Sequence, residues 1–337
     1  MVTEQKIKES LEDILVPGAM RSLLKLNLVR QIIVTDQKVD ITLASSGLDS
    51  NAEDYLKSKV SDTVRHLAGV SQANVNFIPS APKEVNDVGN VVAVMSGKGG
   101  VGKSLVAALL SIALARQGKD VGILDADITG PSIPKIFGLS GTRPHSSESG
   151  ILPVLSKSGI NIMSINLLLE HEDDAVIWRG PIISRVIQQF WEDVLWGKLD
   201  YLIVDLPPGT ADAPLTVLQT IPTSGVVIVF SPQELAAMVV KKAVRMAKQM
   251  RIPIFGVVEN MSYFIPPGSK KKLELFGKSR SQEMSDAAGA PLLAQIPIDP
   301  ELAKLCDEGK IERYSSEIFE SLSRNFIQAL SIKAKQT

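Results

Sequence analysis

The sequence predicts an α/β fold in two parts: a mostly parallel sheet covered by helices on both faces, preceded by a small α/β domain. Two observations carry this. From Asn90 onward, apolar strand patterns alternate with helical ones, the order that builds strand–helix–strand units. Residues 97–104, Gly-Lys-Gly-Gly-Val-Gly-Lys-Ser, fit G-x-x-x-x-G-K-[ST], the P-loop that cradles nucleotide phosphates. The expected division is a small domain over residues 1–80, a linker over 81–89 and a P-loop domain over 90–337.

In the first part, Ile7, Leu11, Ile14 and Leu15 recur at helical spacing within residues 2–15, and Pro17-Gly18 stops that helix. Residues 29–35 and 39–43 read as strands of a hairpin turning at Asp36-Gln37. A helix over 51–67 and a strand over 70–78 follow, after which the proline and charge of residues 79–87 read as a linker.

The second part begins with the apolar strand 90–95, which feeds the phosphate loop. Gly97, Gly99, Gly100 and Gly102 let successive N–H groups of the loop, Val101 included, turn onto a phosphate. Lys103 supplies charge to the β- and γ-phosphates. Ser104 offers its hydroxyl to Mg²⁺ and opens a helix over 105–117, whose positive dipole end faces the same anion. Strand 121–124 ends in Asp125-Ala-Asp127, where Asp125 orients water on Mg²⁺ and Asp127 positions or activates the attacking water.

Residues 151–155 and 160–165 read as a hairpin insertion turning over 156–159. Trp178-Arg179-Gly180-Pro181 opens a helix to about residue 195; Arg179 either reaches a phosphate or partner subunit, or caps and packs. Strand 201–205 closes on Asp205, a carboxylate for hydrated Mg²⁺, and the backbone of Gly209 beyond it is placed to sense the γ-phosphate. Strands 225–230 and 254–258 flank a helix over 233–251 with an expected buried stripe of Leu235, Val239, Ala243, Met246 and Met250. Asn260, at a strand end on the nucleotide side, is the residue expected to read the adenine edge. A last strand, 291–296, precedes a helical remainder.

Composition narrows the partners. Lys and Arg number 36 against 37 Asp and Glu, and aromatics are 5%, which argues against a nucleic-acid surface and against base-stacking platforms. The start lacks a continuous apolar signal core and no apolar run approaches membrane-spanning length, so a cytoplasmic protein without membrane partners is expected. Cys306 is the one cysteine. It excludes an intrachain disulfide and an all-cysteine metal site within one chain, and its helical context reads as a packed thiol.

A second lysine, Lys98, follows the first glycine of the loop. It would crowd Lys103 inside one cradle, so it is expected to reach the phosphates of a facing subunit. GKGGVGKS resembles the deviant Walker A of the group that includes MinD, ParA and the nitrogenase iron protein, in which two subunits sandwich two nucleotides. More widely, SGKGGVGKS, DADITGPSIP, WRGP, DYLIVDLPPGTAD, SPQELA and GVVENMSYF resemble, in order and spacing, the Mrp/ApbC family of iron-sulfur cluster carrier ATPases over residues 90–310. That resemblance implies a cytoplasmic homodimer that hydrolyses ATP, holds a [4Fe-4S] cluster between subunits and passes it to apoproteins. The first part resembles the small iron-sulfur assembly domain that often precedes such ATPases. Where those commonly carry a cysteine this chain has Ala44-Ser-Ser-Gly-Leu48, so a docking or dimerisation role stands beside a chemical one.

The family's C-x-x-C after ENMSYF is missing. Pro266 and Ser269 stand at the cysteine positions; proline cannot ligate iron and a serine alkoxide is a poor substitute for a thiolate. No cluster ligand is therefore assigned, and a [4Fe-4S] cofactor stays open. Ala211 and Val239 also depart from the family pattern, with no effect we can derive. The expectation is a slow Mg-ATP-hydrolysing homodimeric switch, with Lys98, Lys103 and Asp127 catalytic and Ser104, Asp125 and Asp205 holding the metal. It would serve iron-sulfur delivery together with apoprotein clients or assembly proteins. The alternative is a MinD/ParA-like switch for protein interaction, with no cluster of its own.

Overall fold

A computed structural model describes residues 2–128, 130–169 and 180–334; Arg179, with its two open roles, lies outside the described residues. The chain divides into two compact units, the first made of Met1–Gly89, Arg143–Leu155 and Gln189–Asp200, the second of Asn90–Thr142, Ser156–Gln188 and Tyr201–Thr337.

Unit 1 holds helix α1 (Glu4–Leu11), strands β1 (Val29–Thr35) and β2 (Lys38–Ala44), helix α2 (Ser50–Arg65) and strand β3 (Gln72–Ile78), with sheet order β1-β2-β3. Strand β1 runs antiparallel to β2 with Thr35 opposite Lys38, so Asp36 and Gln37 are the whole turn, and Asp36 takes φ +55° to make it. β3 lies parallel to β2. Helix α1 is shorter than the expected 2–15: Leu15 instead forms an antiparallel bridge with Ser22 and is 47% exposed.

The core of this unit includes Ile7, Leu11, Ile41, Leu43, Leu56 and Val60, and it also takes in Leu152 and Leu195. Those two apolar residues carry segments 143–155 and 189–200 into a unit that the sequence reading had confined to residues 1–80. The expected linker is built in as well. Pro82–Val85 forms a helical turn in which Glu84 accepts the Ala81 N–H at 3.1 Å, and Val85 is buried with its carbonyl accepting Asn27 Nδ2 at 2.6 Å.

Unit 2 is organised by a parallel sheet. Its strands are β4 (Asp87–Ser96), β5 (Val121–Asp125), β6 (Asn161–Ser164), β7 (Lys198–Asp205), β8 (Gly225–Phe230), β9 (Ile254–Glu259) and β10 (Leu292–Gln295), and their spatial order is β10-β9-β8-β4-β7-β5-β6. The pairs β10–β9, β9–β8, β8–β4, β7–β5 and β5–β6 are all parallel. Every residue of β8 and β9 is buried, the mark of a sheet covered on both faces. Its helices include α3 (Lys103–Arg116), α4 (Asp212–Thr220), α5 (Glu234–Gln249), α6 (Ser281–Ala288) and α7 (Glu317–Ala334). The chain leaves β4 toward β5 on one side and later returns to β8 on the other. The carboxyl end of β4 is thus a topological switch point, where ligands of such sheets bind.

One expectation is met in part and another is corrected. The turn over 156–159 is present, with Gly159 N–H donating to Ser156 O at 3.0 Å, and Val154–Leu155 is the strand neighbour of Asn161–Ser164 as the hairpin expects, while Ile151 pairs with Ser146 instead. Asn161–Ser164 joins the parallel sheet beside β5, drawn by four buried side chains and by Asn161 Nδ2 donating to Val121 O at 3.1 Å. In α5 the buried stripe is Val240, Ala243, Val244 and Ala247, with Met246 and Met250 half-buried; the side chains of Leu235 and Val239 lie outside the described residues.

Candidate functional site

The carboxyl ends of β4, β5 and β7 converge on one cleft of about 300 Å³, lined by the phosphate loop, Asp127, Ser132 and Pro208. The loop's form follows from its glycines. Gly102 caps α3 in the left-handed region at φ +79°, and a Cβ there would lie 2.1 Å from Asn260 Nδ2. Only glycine meets both demands. The first turn of α3 then places Lys103 and Ser104 at the mouth of the helix, where free N–H groups and the dipole favour an anion.

Three carboxylates surround Lys103. Its Nζ lies 2.5 Å from Asp205 Oδ1 and 3.8 Å from Asp127 Oδ2, and it donates to Ser104 Oγ at 3.4 Å. Asp205 and Asp125 stand side by side in the β7–β5 register, both fully buried. Burial, then the neighbouring Asp205 charge, pushes Asp125 up to about 8, although Lys103 and the Ile133 N–H pull the other way. Burial likewise raises Asp205 above the ordinary carboxylate range against the pull of Lys103. Asp125 is also a structural acceptor. Its Oδ1 takes the Asp127 N–H, while its Oδ2 takes the Ile133 N–H and the Ser164 hydroxyl, each at 3.2 Å.

The second oxygen of Asp205 has no hydrogen-bond partner among the described residues. An unsatisfied buried carboxylate oxygen is costly in isolation, and a hydrated divalent cation would satisfy it; the donor set of Ser104, Asp205 and Asp125 is the hard-oxygen set that Mg²⁺ takes. The observed residues fit that ion. They do not fit a resident iron-sulfur cluster: Pro266 and Ser269 sit in a turn closed by Ser269 N–H donating to Pro266 O at 3.0 Å, and no group of three or more His, Cys, Asp or Glu positioned for a metal occurs among the described residues. Cys306 is half-buried, and burial, then Asp307, pushes its thiol up to about 11, away from the thiolate a metal needs.

Lys98 is half-buried and donates to Gln233 Oε1 of its own chain. Asn260 is 2% exposed; its Nδ2 donates to the Val101 carbonyl at 2.9 Å and its Oδ1 accepts the Met261 N–H at 3.0 Å. The structure therefore brings Asn260 to the phosphate loop itself. Gly209 N–H donates to Ser96 O at 3.1 Å, holding the segment after β7 against the strand that feeds the loop. Sequence reasoning missed Gln233 and Ser164 as supports, although Gln233 lies inside a motif it had singled out.

A family model described as "ParA: NUBPL iron-transfer P-loop NTPase" matches residues 87–330. The chain is 37% identical to the iron-sulfur cluster carrier protein of Aquifex aeolicus over 98% of each chain. Among solved structures, it is 48% identical to a nucleotide-binding protein of Archaeoglobus fulgidus in complex with ADP, with a TM-score of 0.63 over 71% of this chain and 94% of that one. It shares its fold with MinD of Pyrococcus horikoshii complexed with Mg-ADP, at 21% identity and a TM-score of 0.51 over 74% of this chain and all of that one. No helix among the described residues is long and apolar enough to cross a membrane.

Proposed function

The chain belongs to the ParA/NUBPL family of iron-transfer P-loop NTPases, and from that premise we propose that it is a Mg-ATP-hydrolysing homodimeric switch of the cytoplasm that serves iron-sulfur delivery to apoprotein clients. The observation that carries the nucleotide half is the buried Lys103–Asp205 pair at the root of a glycine-shaped loop, with one Asp205 oxygen left over for a metal's water.

In this reading the loop N–H groups and Lys103 hold the β- and γ-phosphates, Lys103 exchanging its carboxylate partner for phosphate oxygens. Ser104 would ligate the metal, and Asp205 and Asp125 would hold its water shell. Mg²⁺, when bound, would supply charge that neutralises the β- and γ-phosphates. Asp127, at the cleft wall, places the attacking water, and the products are ADP and phosphate. Lys98 leaves Gln233 to offset transition-state charge in the facing subunit. Asn260 meets the adenine edge with the N–H that Val101 does not use.

The cluster half differs. The chain's own residues at 266 and 269 offer no thiolate, so any cluster it handles is cargo completed by partner thiolates. Pro266 and Ser269 also favour the second reading, a switch for protein interaction in the manner of its structural neighbours. Calorimetry with Mg-ATP and phosphate release without an added acceptor test the first half; absence of Mg-ATP affinity overturns it. Sedimentation with and without ATP tests the dimer. Anaerobic incubation with iron and sulfide tests cluster handling: stoichiometric iron with a broad visible band supports carriage by the chain alone, and their absence leaves the interaction switch.

A further inference from the structure

One buried acid takes no part in the site just described. Glu259 closes β9, is fully buried, and accepts four hydrogen bonds. Oε2 takes the hydroxyls of Ser262 and Ser279 at 2.7 Å each and Gln295 Nε2 at 3.0 Å; Oε1 takes the Arg280 N–H at 2.7 Å. Its partners at 262 and at 279–280 are the two ends of one loop, so a single carboxylate pins both. Within that loop, Phe264 and Leu273 exchange hydrogen bonds at 2.8 Å and Pro266–Ser269 makes the tip. Ile265, Leu275 and Phe276 are exposed along it.

The next residue, Asn260, is held equally tightly on the other side. Its N–H donates to Phe230 O at 2.8 Å, its side chain to Val101 O, and its Nδ2 occupies the space a side chain at Gly102 would fill. Glu259 and Asn260 are thus one peptide unit apart, one fixing the 262–280 loop, the other touching the phosphate loop. Neither contact has slack, since both groups are buried and close-packed interiors transmit displacement instead of absorbing it.

We propose that Glu259 is a positioning residue that ties the 262–280 loop to the phosphate loop through Asn260, so that a nucleotide held at residues 97–104 is felt at the exposed tip around Pro266–Ser269. This rests on the nucleotide reading above. Any adjustment of Val101 O or Gly102 as N–H groups turn onto a phosphate moves Asn260, and through the shared backbone moves the clamp. The tip is the surface whose presentation then changes with the nucleotide.

Glu259→Gln keeps size but replaces one acceptor oxygen by a donor that faces donors, so it breaks the clamp at one or more bonds. Hydrogen exchange of the full chain with and without Mg-ADP reads the result by region. In the wild type, nucleotide slows exchange at 97–105 and also changes it at 262–280. In Glu259→Gln, protection at 97–105 persists, residues 262–280 exchange about tenfold faster, and their response to nucleotide is lost. Glu259→Asp, which retains the acceptors at shorter reach, gives an intermediate response, and Ser279→Ala, a milder cut at the same clamp, covers a failure of the first variant to fold. Protection at 97–105 with no change at 262–280 in the wild type, or an intact response in Glu259→Gln, overturns the proposal. Lack of protection at 97–105 in the wild type overturns the nucleotide reading, and the proposal falls with it.

Discussion

Two loops leave the carboxyl ends of strands in the same sheet, one after β4 at residues 97–102 and one after β9 at residues 262–280, and they obey different rules. The first is dictated by backbone. Gly100 and Gly102 adopt φ near +75°, its lysine is buried against carboxylates, and its neighbours leave no room for a side chain at Gly102. The second is pinned at both ends by Glu259, and its tip carries Pro266, Ser269 and exposed apolar side chains. A loop that must grip a phosphate has little freedom in sequence. A loop that must present a surface has a great deal, which is why the family's cysteines can be missing from the tip while the grip is complete.

The sharpest way to break this contrast is Lys103→Ala. Phosphate release is expected to fall by at least about 100-fold, the scale seen when a preorganised charge-stabilising group is removed. The change also strands Asp205 and Asp127 without their cation, at an expected stability loss of about 3 kcal/mol readable by thermal or urea unfolding. Unchanged turnover would mean that the first loop is not the grip.

The next test acts on the tip. Pro266→Cys with Ser269→Cys restores the thiol pair, on a turn that already brings positions 266 and 269 together. Anaerobic reconstitution of this double variant is expected to give about one four-iron cluster per two chains, with nucleotide affinity unchanged. Failure to take up iron would show that the tip's backbone, beyond its lost thiols, has left cluster ligation.

A smaller effect separates two glycines inside the first loop. Gly100 (φ +75°) has nothing within 4 Å of a built Cβ, so Gly100→Ala carries the left-handed backbone cost alone, about 1 kcal/mol. Gly102→Ala carries that cost and also displaces Asn260, so its loss of ADP affinity is expected to exceed that of Gly100→Ala by about tenfold. Equal losses would remove the Asn260 contact as a constraint. Asn260→Ala adds a second reading: weaker ATP and GTP binding alike points to the loop contact, while weaker ATP binding alone points to the adenine edge.

The same contrast explains what the sequence made legible. The glycine loop, the strand-end carboxylates Asp125 and Asp205, and the hairpin turning at Asp36-Gln37 were readable because each is a local demand on backbone or charge. The run of strands in unit 2 was readable because buried parallel strands are apolar along their whole length. What escaped was non-local. Nothing within residues 161–164 announces that Asn161 will bond Val121 and place the segment beside β5; nothing in 150–155 announces that Leu152 will join a core built mainly from residues 7–85. The partners of Asn260 and Lys98 escaped for the same reason. An amide at a strand end can read a base or brace a loop, and only Val101, over 150 positions away, decides which bond it makes here.

The subtlest prediction concerns the proton that the first loop's floor holds. Asp125 is raised from 3.8 to about 8 because burial and the Asp205 charge disfavour its ionised form. The folded chain therefore binds this proton more tightly than the unfolded chain does. Its contribution to stability is full below about pH 4 and is lost as pH climbs toward 8, so the protein alone is expected to melt at progressively lower temperature across that window. A metal held by the same acids requires them ionised, which reverses the penalty. Mg-ADP binding at pH 7 should thus expel about one proton, seen as a binding enthalpy that varies with the ionisation heat of the buffer, and the release should shrink by pH 9. Asp125→Asn, which leaves Lys103 and Asp205 in place, should reduce that release. A buffer-independent enthalpy at pH 7 would mean that the metal's water shell rests on other groups than the paired carboxylates of β5 and β7.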